Sequence, residues 1–177
     1  MQRIEVKMVG VGGQGVRLAG TILGTAATLE GKHASAWSSY GIETRGGPSV
    51  SEVIVSDTPI DYPRVVTADV LTATDGATLQ KHLPNLAAKG TLIVDSNIRL
   101  VNQGDVTVRR FPALRIACEC VGSVVASNIV MLAFVVEAAK VVDAKRIEEA
   151  IRKCLSVGSV ESNLRAFRVG LRSAASV

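Results

Sequence analysis

The chain has 177 residues, 47% hydrophobic and 20% charged, a balance that excludes disorder for the bulk and predicts one domain spanning residues 1–177. The formal net charge is +4 and the pI about 9.2, but the longest basic run is only Arg109-Arg110, which argues against nucleic-acid binding. Cys118, Cys120 and Cys154 form no disulfide framework and no zinc or iron–sulfur pattern, and charges within the first apolar stretch exclude a signal peptide, so a cytoplasmic protein is expected.

Arg3–Val9 alternates and then turns apolar, which predicts a first strand. The turn VGVGGQGV, Val9 to Val16, follows. Gln14–Glu30 then places Val16, Ala19, Leu23, Ala26 and Ala27 at helical spacing, with Gly31 as a natural stop. His33–Ser38 predicts a second strand. It leads into a second glycine-rich stretch, SSYGIETRGGPS, Ser38 to Ser49. Ser49–Ser56 is rich in β-branched residues and predicts a third strand, broken by Asp57-Thr58-Pro59. Asp69–Thr74 and Gly90–Ser96 are short apolar strands, and Asp75–Leu83 between them is a helix with Asp75 as N-cap. Asp105–Phe111 alternates as a half-exposed edge strand does, and Pro112 permits a new helical turn.

The remainder is helical. Ser127–Val142 is apolar nearly all round, which predicts a buried helix. The charge-free segment Val121–Val136 that overlaps it is too short to span a membrane. Asp143–Leu155 gathers Ile147, Ala150, Ile151, Cys154 and Leu155 on one face, and Ser159–Ser173 gathers Val160, Leu164, Phe167 and Leu171. Strands alternating with helices, then helices alone, predict a three-layer αβα Rossmann-like domain with a helical C-terminal part.

Two loops carry the candidate chemistry. Gly10, Gly12 and Gly15 satisfy G-x-G-x-x-G between a strand and a helix, where free N–H groups suit an anion. An anion site and a tight turn without a ligand are equal readings of this motif. A dinucleotide site needs, in addition, an acid closing the second strand to bind the ribose. None lies near Trp37-Ser38-Ser39-Tyr40: Glu30 precedes the strand and Glu43 lies beyond it. In the second loop Gly41, Gly46 and Gly47 surround Arg45, among hydroxyls that include Ser39 and Tyr40. Loops at the carboxyl ends of adjacent strands converge in a doubly wound sheet, which predicts one crevice walled by both glycine loops. Arg45 would serve a phosphate or carboxylate there; the alternative is a surface loop in which Arg45 pairs with Glu43. His33 and His82 are too far apart in the chain to suggest metal-ligand spacing, and no catalytic residue set stands out.

Five stretches together carry a family resemblance. GVGGQGVRLAGTILGTAA (from Gly10), SYGIETRGGPSVSEVIVSDTPIDYP (from Ser39), ADVLTA (from Ala68), NIVMLAF (from Asn128) and ESNLRAFRVG (from Glu161) resemble the γ subunit of 2-oxoacid:ferredoxin oxidoreductases. The resemblance runs from Ile4 to about Gly170. It implies a multi-subunit enzyme that decarboxylates a 2-oxoacid on thiamine diphosphate, sends electrons through iron–sulfur clusters to ferredoxin, and passes the acyl group to coenzyme A. Thiamine diphosphate, Mg2+ and the clusters would reside in the partner α, β and δ subunits, leaving this chain non-catalytic. The chain is similar to the γ domain of single-chain pyruvate:ferredoxin oxidoreductase, which packs on the catalytic domains and has been connected with coenzyme A access. The implied role is support of the assembly and a contribution to coenzyme A binding. The site would comprise Gly10, Gly12, Gly13, Gln14 and Gly15 with Ser39, Tyr40, Gly41, Arg45, Gly46 and Gly47. Val11 within the turn and YGIETRGGPS in the second loop look more like the 2-oxoglutarate type than the pyruvate type. The rival readings are a free-standing NAD(P)-binding oxidoreductase, a purely structural subunit, and the equivalent subunit of an indolepyruvate oxidoreductase.

Overall fold

A computed structural model describes residues 3–40, 46–100 and 106–175. Its strands are β1 (Arg3–Val11), β2 (His33–Tyr40), β3 (Pro48–Ser56), β4 (Ala68–Ala73), β5 (Leu86–Asp95) and β6 (Thr107–Phe111). Together they form one sheet in the order β2-β3-β1-β4-β5-β6. β1, β4, β5 and β6 pair in parallel, whereas β3 is antiparallel to both of its neighbours, β1 and β2. The expected α/β layering is present, but the expected adjacency of the first two strands is not. β2 and β3 form a hairpin, and the returning strand lies between β2 and β1.

Side-chain alternation explains this register. Val6 pairs with Val53 and Lys7 with Glu52, so matching apolar and opposite-charge side chains meet across the strands. Val6, Met8, Val53 and Val55 belong to the larger core, while Val9 and Val50 belong to a smaller one on the opposite face.

The larger core is covered by α1 (Val16–Leu29), α3 (Ala113–Ile116), α4 (Ser127–Ala139), α5 (Ala144–Cys154) and α6 (Val157–Ala174). The smaller core is covered by α2 (Gly76–His82), whose Leu79 packs with Leu71, Leu92 and Val94. The three layers are therefore unequal. α4 is buried on every side from Ser127 to Val136, as its all-round apolar sequence predicts. Each of its large aliphatic side chains contributes about 1.5–3 kcal/mol of burial. The helix stops three residues short of the expected Val142 because Lys140 turns left-handed (φ 49°) while its N–H still bonds Val136 O. α6 crosses α4 closely at Gly170, where a methyl group would come 2.8 Å from Val130 O and 2.7 Å from Ala133 Cβ. The caps follow expectation at Asp75, whose carboxylate accepts from Thr78 N–H at 2.7 Å, and Asp143 caps α5 through Lys145 N–H.

Candidate functional site

The β1–α1 turn is built around Gln14. Gln14 N–H donates to Val11 O at 3.2 Å, closing a tight turn over Gly12 and Gly13. Its side-chain Oε1 accepts from Val11 N–H at 3.0 Å and from Thr74 Oγ1 at 2.7 Å. Its carbonyl accepts from the Asn128 side-chain amide at 2.7 Å. One residue thus joins the end of β1, the end of β4 and the start of α4.

Each glycine of the motif has a reason inside the protein. A Cβ on Gly10 would lie 2.5 Å from Thr74 Oγ1 and 2.9 Å from Gln14 Oε1, so it would displace that hydrogen bond. Gly12 N–H donates to Gly47 O at 2.7 Å, and a Cβ there would come 3.3 Å from the same oxygen. Gly13 and Gly15 have φ of 97° and 80°, values that favour glycine. Gly15 is the N-cap of α1, and no side chain caps that helix. Among the described residues, the donors left to the turn are then Gly13 N–H and the first turn of α1, with the positive end of the helix dipole behind them and Val125 O close by, 3.1 Å from where a Cβ on Gly15 would lie. Gly12 N–H and Gln14 N–H are engaged within the fold. α4 likewise begins without a side-chain cap, and among the described residues Ser127 Oγ there is a buried hydroxyl with no partner.

The two glycine loops do meet, through Gly12 and Gly47, but by a route other than strand adjacency. The β2–β3 hairpin folds the second loop back over the first. Ser39 pairs with Val50 and Tyr40 with Ser49, which places both at the loop's origin. Gly46 is exposed (φ 80°) and Gly47 is buried at its end. Gly41 and Arg45, with Glu43, lie outside the described residues.

The same geometry removes the basis for a dinucleotide site. In a Rossmann turn the second glycine admits a pyrophosphate and the neighbouring strand ends in an acid. Here Gly12 faces Gly47. The neighbouring strand β3 runs the other way and brings Pro48 and Ser49 to that position.

The structure also contains a polar cluster that sequence reasoning missed, on the sheet face opposite α1. Glu52 is 4% exposed. It receives Lys7 Nζ at 3.1 Å and Arg64 Nε at 2.8 Å. Lys7 Nζ also donates to Asn85 Oδ1, and the Arg64 guanidinium lies 3.4 Å from the centre of the Trp37 ring. Burial pushes the Glu52 carboxyl up, but hydrogen bonds from Arg64 and Lys7 outweigh it and hold the group below its ordinary value. Burial, reinforced by the Lys7 charge, pulls His82 down. Alternation in β1 and β3 marks Lys7 and Glu52 as same-face residues. Nothing in the sequence brings Arg64 back to them.

Among the described residues no three His, Cys, Asp or Glu side chains gather as a metal donor set, and no helix is long and apolar enough to cross a membrane. Fold and site together define a Rossmann-like domain whose glycine turn is closed by a second loop of its own.

The chain belongs to the pyruvate ferredoxin/flavodoxin oxidoreductase family, whose profile matches residues 5–173. It is 42% identical to the 2-oxoglutarate synthase subunit KorC of Methanothermobacter marburgensis, over 95% of both chains. It is 31% identical to the common γ subunit of the pyruvate/ketoisovalerate oxidoreductases of Pyrococcus furiosus, over 93% of this chain and 94% of that one. The crystal structure of a keto/oxoacid ferredoxin oxidoreductase γ subunit from Geobacter sulfurreducens superimposes with a TM-score of 0.86 at 34% identity, over 99% and 98% of the two chains. The expected γ-subunit resemblance and α/β fold are borne out.

Proposed function

We propose that this chain is the γ subunit of a 2-oxoglutarate:ferredoxin oxidoreductase, where it supports the assembly and contributes to coenzyme A binding. The observation that carries the enzyme class and substrate is the near full-length similarity to KorC. The expected single unit of residues 1–177 is part of the same proposal. α, β and δ subunits would hold thiamine diphosphate, Mg2+ and the iron–sulfur clusters and pass electrons to ferredoxin, with the complex in the cytoplasm. Substrate choice then rests with those partners, in keeping with a Pyrococcus furiosus relative named as common to two oxidoreductases.

The coenzyme A contribution is supported by the uncapped start of α1 and by Gly13, whose added Cβ would meet nothing within 4 Å. A phosphate fits such a donor set. In this reading Gly46, Gly47 and the Ser39–Tyr40 end of β2 would complete the site, with Gly47 held against Gly12 and Arg45 as the proposed cation.

The test compares Gly13→Asp with Gly13→Asn in the reconstituted complex. The two side chains have the same shape and meet the same positive φ, so only the charge differs. Gly13→Asp is expected to raise the KM for coenzyme A about fivefold over Gly13→Asn, the equivalent of about 1 kcal/mol of like-charge repulsion. Equal KM values in fully assembled complexes would leave the loops a purely structural role.

A further inference from the structure

The sheet ends at β6, and that edge is basic. β6 pairs with β5 on one side and has no further strand on the other among the described residues. Arg99, Arg109, Arg110 and Arg115 are all exposed here, while the nearby acids are Asp95, which is buried and accepts from Leu114 N–H, and the exposed Glu119 beyond α3. Arg110 donates to Ile98 O at 2.8 Å. Among the described residues none of Arg99, Arg109 and Arg115 has a salt bridge. On α5 and α6, by contrast, Arg146, Arg152 and Arg168 each pair with a glutamate. Beside the β6 edge, between α3 and α6, lies an open cavity of about 450 Å³ with an apolar floor of Phe111, Ile116 and Val169, flanked by Arg115 and Arg172.

We infer that this edge is a docking site for an acidic, extended segment of a partner subunit, which adds to the sheet as a strand beside β6. An edge strand offers backbone N–H and C=O groups to an incoming chain. The guanidinium groups of Arg109 and Arg115 match carboxylates in geometry and charge. An apolar side chain of the segment enters the cavity while its acidic neighbours face the arginines. Nucleic acid is a poorer match, because the edge has no exposed aromatic side chain for a base to stack on. The inference rests on the proposed γ-subunit role only for the source of the segment.

Hydrogen exchange of the assembled complex against the free chain tests it. Co-elution of the wild-type chain with its partners tests the γ-subunit role separately. In the complex the amides of residues 107–111 should exchange about tenfold more slowly, and a photo-crosslinker at Val108 should label a partner segment rich in Asp and Glu. Arg109→Glu/Arg115→Glu should weaken association about tenfold at low salt, with α4 amides unchanged as the control for folding. Equal exchange of β6 in complex and free chain overturns the docking site, as does a crosslink to a segment without acids. Protection of β6 by coenzyme A alone also overturns it, in favour of a small anion.

Discussion

Gln14 shows how much one side chain can organise. Its four hydrogen bonds, three accepted and one donated, tie β1, β4 and α4 to a single turn. Gln14→Ala removes the partner of Val11 N–H and Thr74 Oγ1, both at a part-buried site, and should lower stability by about 1–2 kcal/mol in urea denaturation. A backbone contact is less forgiving. Gly170→Ala puts a methyl against Val130 O, and since a carbonyl in a helix cannot step aside, the cost should be about 2–3 kcal/mol by the same measurement. The G-x-G-x-x-G pattern was legible in the sequence, and so was the meeting of the two loops. The purpose of each glycine was not, because Thr74 and Gly47 are distant in sequence and only the fold brings them near.

Among elements, the β2–β3 hairpin has the widest effect. All six strands could be placed from alternation and breakers, to within a few residues. Their order could not, since a β-rich run does not say which neighbour it will pair with. The buried cluster on Glu52 follows from that order, with β1, β2 and β3 supplying Lys7, Trp37 and Glu52 side by side. Lys7→Met should destabilise the chain by about 2 kcal/mol, less than for an isolated buried pair because Arg64 remains on Glu52. The pH dependence has a definite sign. Glu52 is held below its ordinary value of 4.5 in the folded chain, so its contribution is present above that pH. Below pH 4.5 the unfolded chain takes up the proton first, and the contribution fades as pH falls through the lowered folded value. Glu148 is likewise held below its ordinary value, by its hydrogen bonds to Arg168. The informative measurement is therefore the difference in urea midpoint between wild type and Glu52→Gln, which should shrink as pH falls from 5 towards the acid limit. A constant difference would remove Glu52 from the acid response.

For the whole molecule, the lopsided layering has functional weight. Most of the helices lie on one face, and Gly15 of the glycine turn lies close to the backbone of Val125, which is exposed together with Val124, a surface suited to packing against other chains. On the proposed γ-subunit role, the purified chain alone should show no 2-oxoacid oxidation with a ferredoxin or dye acceptor. Adding it to a complex that lacks it should restore turnover. Turnover by the chain alone would contradict the γ-subunit assignment. Composition and layering made the fold class legible at this scale. That Arg99, Arg109 and Arg115 carry no salt bridge among the described residues was not legible, because it depends on which arginines find glutamates on neighbouring helices.

The antiparallel strand beside β1 also bears on protein engineering. Grafting an aspartate near Tyr40 is the obvious way to convert such a chain into a nicotinamide enzyme, since only that residue is missing from the pattern. The graft would fail, because the carboxylate would sit one full strand, about 4.8 Å, too far out, with Gly47 already seated on the turn. A redesign would have to excise the hairpin and bring β2 alongside β1 before any new side chain could matter.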